Sequence, residues 1–119
     1  MAFIKEHLGQ ARPANTTAVS IVTPINDQIV IIQQIIVCNT TGSAATFRIF
    51  LDNDGTTYSE ATALIYDYSL DANDMIEFSF GQDSISGLYM TNIAGNLAIR
   101  SGTASALTYT INGTIMVSG

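Results

Sequence analysis

The sequence predicts an all-β protein, an antiparallel β-sandwich of the eight-stranded jelly-roll kind with a short N-terminal arm. Three observations carry this reading. Eight short runs rich in β-branched and aromatic residues follow one another, separated by clusters of Gly, Asn, Asp and Ser. Several of these runs alternate apolar with polar residues, the period of a strand with one face in a core. No long helical pattern interrupts them, and such a series of strands packs as a sandwich. Two four-stranded sheets make a jelly roll. An immunoglobulin-like sandwich is the rival, without the Cys-Trp-Cys pattern that would support it.

The first fifteen residues differ in character from the rest. They hold Lys5, Arg12 and the one histidine, His7. Phe3, Ile4, His7 and Leu8 share a face at helical spacing, and Gly9 and Pro13 stop such a helix after about two turns. A helix this short is not stable alone in water, so it docks on its own domain or on a neighbour. Residues 1–15 are therefore expected to form an arm ahead of a single sandwich domain over 16–119. Phe3, Ile4 and Leu8 are its candidates for insertion into a partner's groove, with Lys5 and Arg12 for contacts to an acidic surface. His7 reads as a packing or surface residue.

Thr16 to Thr23 reads as a strand with Val19 and Ile21 inward, ended by Pro24. The organising unit follows: Ile29 to Asn39, the turn Asn39-Thr40-Thr41-Gly42-Ser43, then Ala45 to Leu51. In the second of these strands Phe47, Ile49 and Leu51 share one face and Thr46, Arg48 and Phe50 the other. The first is apolar on both sides. Strict alternation sets Ile29, Ile31, Ile35 and Val37 against Val30, Ile32, Ile36 and Cys38, with only Gln33 and Gln34 interrupting. Its second face then lies under a loop or the N-terminal segment, or under another subunit. A bulge at the glutamines is a further way out.

Asp52-Asn53-Asp54-Gly55 is a turn, and Ala63 to Tyr68 a strand with Leu64, Tyr66 and Tyr68 alternating. Met75 to Phe80 points Ile76, Phe78 and Phe80 inward. Leu88 to Thr91, Leu97 to Arg100 and Leu107 to Val117 complete the set. The last carries Leu107, Tyr109, Ile111, Ile115 and Val117 on one face. The expected core centres on Phe47 with Ile49, Phe78, Ile99 and Ile111.

Composition narrows the function. The chain has 119 residues, 47% hydrophobic but only 12% charged, about half the usual charged share. Low charge with much Thr, Ser, Asn and Gly suits a β protein partly hidden in an assembly. A net charge of −6, with Lys5, Arg12, Arg48 and Arg100 scattered, argues against gripping nucleic acid by its phosphates. One cysteine rules out an intrachain disulfide, and Cys38 reads as a small buried hydrophobe. One Cys and one His make a zinc site on soft ligands untenable, and no other cofactor is expected. Lys5, Glu6 and His7 spoil a secretory signal, and no stretch spans a membrane, so a soluble product of the cytoplasm is expected. Asp52, Asp54 and Glu60 do not have calcium-loop spacing, because Gly55 comes too early. Asp71, Asp74 and Asp83 are spaced as turn residues, and no Gly-X-Ser-X-Gly motif occurs. An enzyme is not expected.

One resemblance adds to this. Leu8-Gly9-Gln10-Ala11-Arg12-Pro13, a Thr-rich strand ending in Thr23-Pro24, Ile36-Val37-Cys38-Asn39, Thr46-Phe47-Arg48-Ile49, Tyr66-Asp67 and Leu70-Asp71-Ala72-Asn73-Asp74 together resemble small virion proteins of tailed bacteriophages. The chain departs from them at Ile21-Val22, where an aromatic residue is expected, and in its C-terminal third. The resemblance implies a particle component, assembled in the host cytoplasm, and brings no catalytic residues. Two functions fit. One is a capsid decoration (cement) protein, a homotrimer bound to the major capsid protein. The other is a tail, neck or fibre module that recognises a host glycan through Tyr58, Tyr66, Tyr68, Tyr89 and Tyr109.

Overall fold

The computed structural model describes residues 2–83 and 85–117. Its strands are β1 (Ala2–Ala11), β2 (Val19–Val22), β3 (Gln28–Asn39), β4 (Ala45–Asp52), β5 (Ala63–Leu70), β6 (Met75–Ser79), β7 (Leu88–Met90), β8 (Asn96–Ser101) and β9 (Leu107–Val117). They form two antiparallel sheets. One runs β1-β9-β3-β6, with β7 also on β3, and the other runs β2-β8-β4-β5. The chain is an all-β sandwich, as its alternating runs predict.

The core lies between the sheets. Val30, Ile32, Ile35, Val37, Leu107, Tyr109 and Ile111 from the first sheet meet Val22, Phe47, Ile49, Leu97 and Ile99 from the second. Phe47 packs its ring edge-on to Phe78 and Tyr109, at 6.2 Å from each. Tyr109 is fully buried, and its hydroxyl lies 2.9 Å from Ser101 Oγ. Burial pushes that phenol up to about 12. The expected core partners Ile49, Phe78, Ile99 and Ile111 all belong to this cluster or pack on it.

Four expectations need correcting. The segment around Phe3 and Leu8 is not a helix but strand β1, paired with β9 from Ala2↔Val117 to Ala11↔Tyr109. The pairing with β9 supplies the backbone hydrogen bonds that a two-turn helix would have left frayed. The sandwich thus takes in most of the stretch expected to be an arm; Met1 lies outside the described residues. The helical spacing came from a bulge between His7 and Gly9, which turns Leu8 into the core over the bare face of Gly113. A Cβ on Gly113 would lie 2.8 Å from Leu8 Cδ1 and 2.0 Å from Ile31 O.

On β3, strict alternation fails. The register against β9 shifts between Ile32 and Gln34, so the inward set is Val30, Ile32, Ile35 and Val37. Ile29, Ile31, Ile36 and Cys38 face outward, which is the bulge solution. Cys38 is half-buried rather than buried, because it stands on that outer face opposite Met75 and Thr108. On β2, a bulge between Ser20 and Val22 buries Val22 and leaves Val19 exposed.

The strands β6 and β7 are two halves of one line. Both pair with β3, β6 at Gln34–Cys38 and β7 at Val30–Ile32. The loop between them, 80–87, is an excursion from an otherwise continuous edge.

Candidate functional site

The outer face of the five-stranded sheet carries most of what could bind a partner. Loop 80–87 crosses it from the β6/β7 edge. Gln33, buried on β3, donates from Nε2 to the carbonyls of Asp83 and Ser86 and accepts at Oε1 from Thr114, 2.8 Å away. At the far side, Lys5 of β1 donates to Gln82 O at 3.1 Å. The backbone of Gly87, at φ 144°, lies against Ile31. Ile31 is thereby buried, although it points away from the core. A loop thus covers part of the second face of β3, over Ile31 and Gln33, which is one of the expected alternatives.

Beyond the loop's reach the face stays open. Cross-strand register places Phe3 beside Met116 and Met116 beside Ile29. Phe3 is 45% exposed, and its neighbour Ile4 47%. Tyr89 and Ile85 flank this row, joined by the Tyr89 hydroxyl donating to Ile85 O at 2.6 Å. Ile29 and Met116 also floor a recess of about 500 Å³ at the end of the sandwich, walled by Ile93, Asn26, Asp27, Gln28, Asn53 and Asn92. Ile25 and Ile93, in the loops at that end, are each 62% exposed. Contiguous apolar surface of this kind marks interaction sites.

The sequence candidates separate here. Phe3 lies in the apolar row, while Ile4 stands on the opposite face of β1 beside Ile115. Leu8 instead packs into the core, and Lys5 is engaged with the loop. Arg12 donates from Nε and Nη2 to Thr40 Oγ1 at 3.1 and 3.0 Å. It ties the β1–β2 connection to the β3–β4 turn. His7 donates to Gly9 O within its own strand. A second, polar groove of about 410 Å³ runs past Lys5, Glu6, His7, Gln34 and Asn112. Met116, Ile85 and Ile93 were not singled out from the sequence, because only register and loop placement bring them near Phe3 and Ile29.

The five tyrosines do not converge. Tyr109 is in the core, and Tyr68 packs on Phe47 and Phe78 at 5.4 and 5.8 Å. Tyr89 is on the first sheet's outer face. Only Tyr58 and Tyr66 meet, on the outer face of the four-stranded sheet, around Phe50 at 6.1 and 6.5 Å.

The Asp52 carboxylate is occupied by backbone. It accepts from the N–H of Thr57 at 2.8 Å and of Asp54 at 3.2 Å, and these bonds hold it below the usual carboxylate range. Among the described residues no group of three or more His, Cys, Asp or Glu is placed to hold a metal ion. No helix among the described residues is long and apolar enough to cross a membrane. No family model, curated protein or solved structure matches the chain.

Proposed function

We propose that this protein is a non-enzymatic structural component of a tailed-phage virion, a capsid decoration protein that binds and stabilises the shell, as a homotrimer on the major capsid protein. The observation that carries it is the open row Phe3, Met116 and Ile29 with Ile85, Tyr89 and Ile93, in a chain of only 12% charge. A partner that covers this row removes apolar surface from water, about 1.5–3 kcal/mol for each side chain fully buried before ordering costs. The strand orders β1-β9-β3-β6 and β2-β8-β4-β5, with β6 and β7 counted as one interrupted strand, support a jelly-roll reading of the sandwich.

A second reading is a tail, neck or fibre module that binds a host-surface glycan. The recess at the sandwich end favours it: four amides and the Asp27 carboxylate surround an apolar floor, donors and acceptors suited to sugar hydroxyls.

Copy number separates the two. Purified particles on a stained gel should show hundreds of copies per particle; a few or a few tens would move the protein to the tail, neck or fibre. Phe3→Asp, at an exposed position, should leave the melting temperature unchanged while binding to undecorated particles falls roughly tenfold or more. Unchanged binding would show that attachment runs elsewhere. Sedimentation of the wild type should give a trimer, free or on the particle, and a monomer in both settings would end the trimer reading.

A further inference from the structure

The outer face of the four-stranded sheet holds an electrostatic arrangement that sheet stability does not call for. Arg48 and Arg100 stand directly opposite each other across the β4–β8 ladder. Like charges so placed repel. These are two of only four basic residues in a chain of net charge −6. One carboxylate, Asp67, answers them. It is held at φ 52°, a left-handed conformation uncommon for a residue with a side chain. The register between β4 and β5 shifts at this point, and that irregularity swings Asp67 onto the Arg48 fork.

Asp67 accepts from Arg48 Nε at 2.6 Å and Nη2 at 3.1 Å. The Arg48 guanidinium sits 3.9 Å above the Tyr66 ring, which fixes its plane. Arg100 donates from Nε to Thr16 O at 3.2 Å, and its two Nη groups have no hydrogen bond among the described residues. The cluster therefore has two guanidinium charges, one carboxylate and a half-exposed Tyr66 beside them. The two guanidinium groups both act on Asp67, whose pKa is lowered first by its bond to Arg48 and further by the charge of Arg100.

From this we infer that the Arg48–Arg100 pair is a carboxylate-binding site for an acidic peptide segment of a partner protein, in which Asp67 already occupies the Arg48 half and Arg100 is open to the incoming carboxylate. The surface is the face of a sheet, and the two recesses described above lie elsewhere. A carboxylate projecting from a protein segment reaches such a face without a cavity, and a planar guanidinium takes it with two parallel hydrogen bonds. Asp67 is then an internal competitor that sets the affinity, and Tyr66 is a positioning residue for Arg48.

The test is a titration of the full chain with an end-capped hexaglutamate peptide, followed by the side-chain Nε–H signals of Arg48 and Arg100. Hexaglutamine and a short oligogalacturonate serve as comparison probes. Hexaglutamate should shift both signals, more strongly at low salt, and hexaglutamine should not. Arg100→Gln should weaken binding roughly tenfold, and Arg100→Lys should restore part of it by keeping the charge without the fork. Asp67→Asn, which suits the left-handed backbone, should strengthen binding by freeing Arg48. A purely structural ion pair would not produce that opposite sign. Failure of hexaglutamate to shift either signal, or weaker binding by Asp67→Asn, would overturn the inference. Binding of oligogalacturonate without hexaglutamate would overturn the peptide as occupant. If Arg100→Gln does not fold, the wild-type titration and Asp67→Asn still decide.

Discussion

Each sheet of this sandwich hides part of its outer face under a loop, and the two loops do so by different chemistry. On the five-stranded sheet, loop 80–87 is drawn down by the buried Gln33 amide, which bonds carbonyls in the loop and Thr114 on β9. On the four-stranded sheet, residues 53–62 lay Tyr58 over Phe50, which is 1% exposed although it points away from the core. Burial raises the phenol pKa of Tyr58. Both loops are pinned internally by one carboxylate. Asp52 accepts two backbone N–H groups, and Asp83 accepts those of Ile85 at 3.0 Å and Ser86 at 2.8 Å. The aromatic cover gains from removing apolar surface from water, while the amide cover gains little net from hydrogen bonds but loses much if one partner goes. The first should fail gradually and the second abruptly.

Phe50→Ala gives the largest expected effect. It empties the space beneath Tyr58 and Tyr66 and should cost about 3–5 kcal/mol, close to a core phenylalanine. A thermal melt decides this, and a loss under about 1 kcal/mol would show that Phe50 behaves as surface. Gln33→Ala should cost less, about 1–3 kcal/mol, from the unpaired Thr114 hydroxyl and loop carbonyls. Its signature is local: limited proteolysis should cut within 80–87 in the variant and spare residues 53–62. Equal cutting at both loops would remove the distinction between the two covers.

The smallest effect is on acidification. Asp52 is held low chiefly by the backbone N–H of Thr57 and Asp83 chiefly by that of Ile85. A carboxylate whose folded pKa lies below its unfolded value of about 3.9 stabilises the fold fully above that value, and loses this as pH falls through the folded pKa. Stability should therefore stay level from neutral pH down to about 4 and decline only below it. Protection of the Thr57 and Ser86 amides against hydrogen exchange, relative to an unstructured peptide at the same pH, should fall over the same range. In Asp83→Asn the Ser86 amide should exchange faster already at neutral pH, with Thr57 unchanged.

Much of this architecture was legible in the sequence. Runs such as Met75 to Phe80 alternate cleanly because one face meets the core and the other meets solvent, so local pattern and tertiary position agree. β1 was not legible. Its apolar residues Phe3, Ile4 and Leu8 mimic helical spacing across a bulge, and its partner β9 lies at the opposite end of the sequence. Phe50 was placed on the right face, but its burial depends on Tyr58, a loop residue with no periodicity. Gln33 and Gln34 gave a visible signal, since a polar pair inside an apolar strand asks for a bulge. Helical spacing puts Phe3 and Ile4 on one face of a short helix, whereas on strand β1 they point to opposite sides, and Leu8 and Arg12 have partners that the fold alone reveals. The Arg48–Arg100 pairing left no sequence signal, because residues 52 positions apart oppose each other only through the β4–β8 register.

The position of β9 has a consequence for synthesis of the protein on the ribosome. β9 lies between β1 and β3 and pairs with both along nearly its whole length, yet it follows every other strand in the chain. Until it has emerged, β1 has no neighbour in its sheet and one side of β3 is unpaired. The nascent chain must therefore carry two long unpaired strand edges until β9 is made. Nearly all pairings in that sheet join residues far apart in sequence, a topology that folds slowly and offers open edges to other chains meanwhile. Closure waits for Tyr109, Ile111 and Ile115 to slide between two strands made before them.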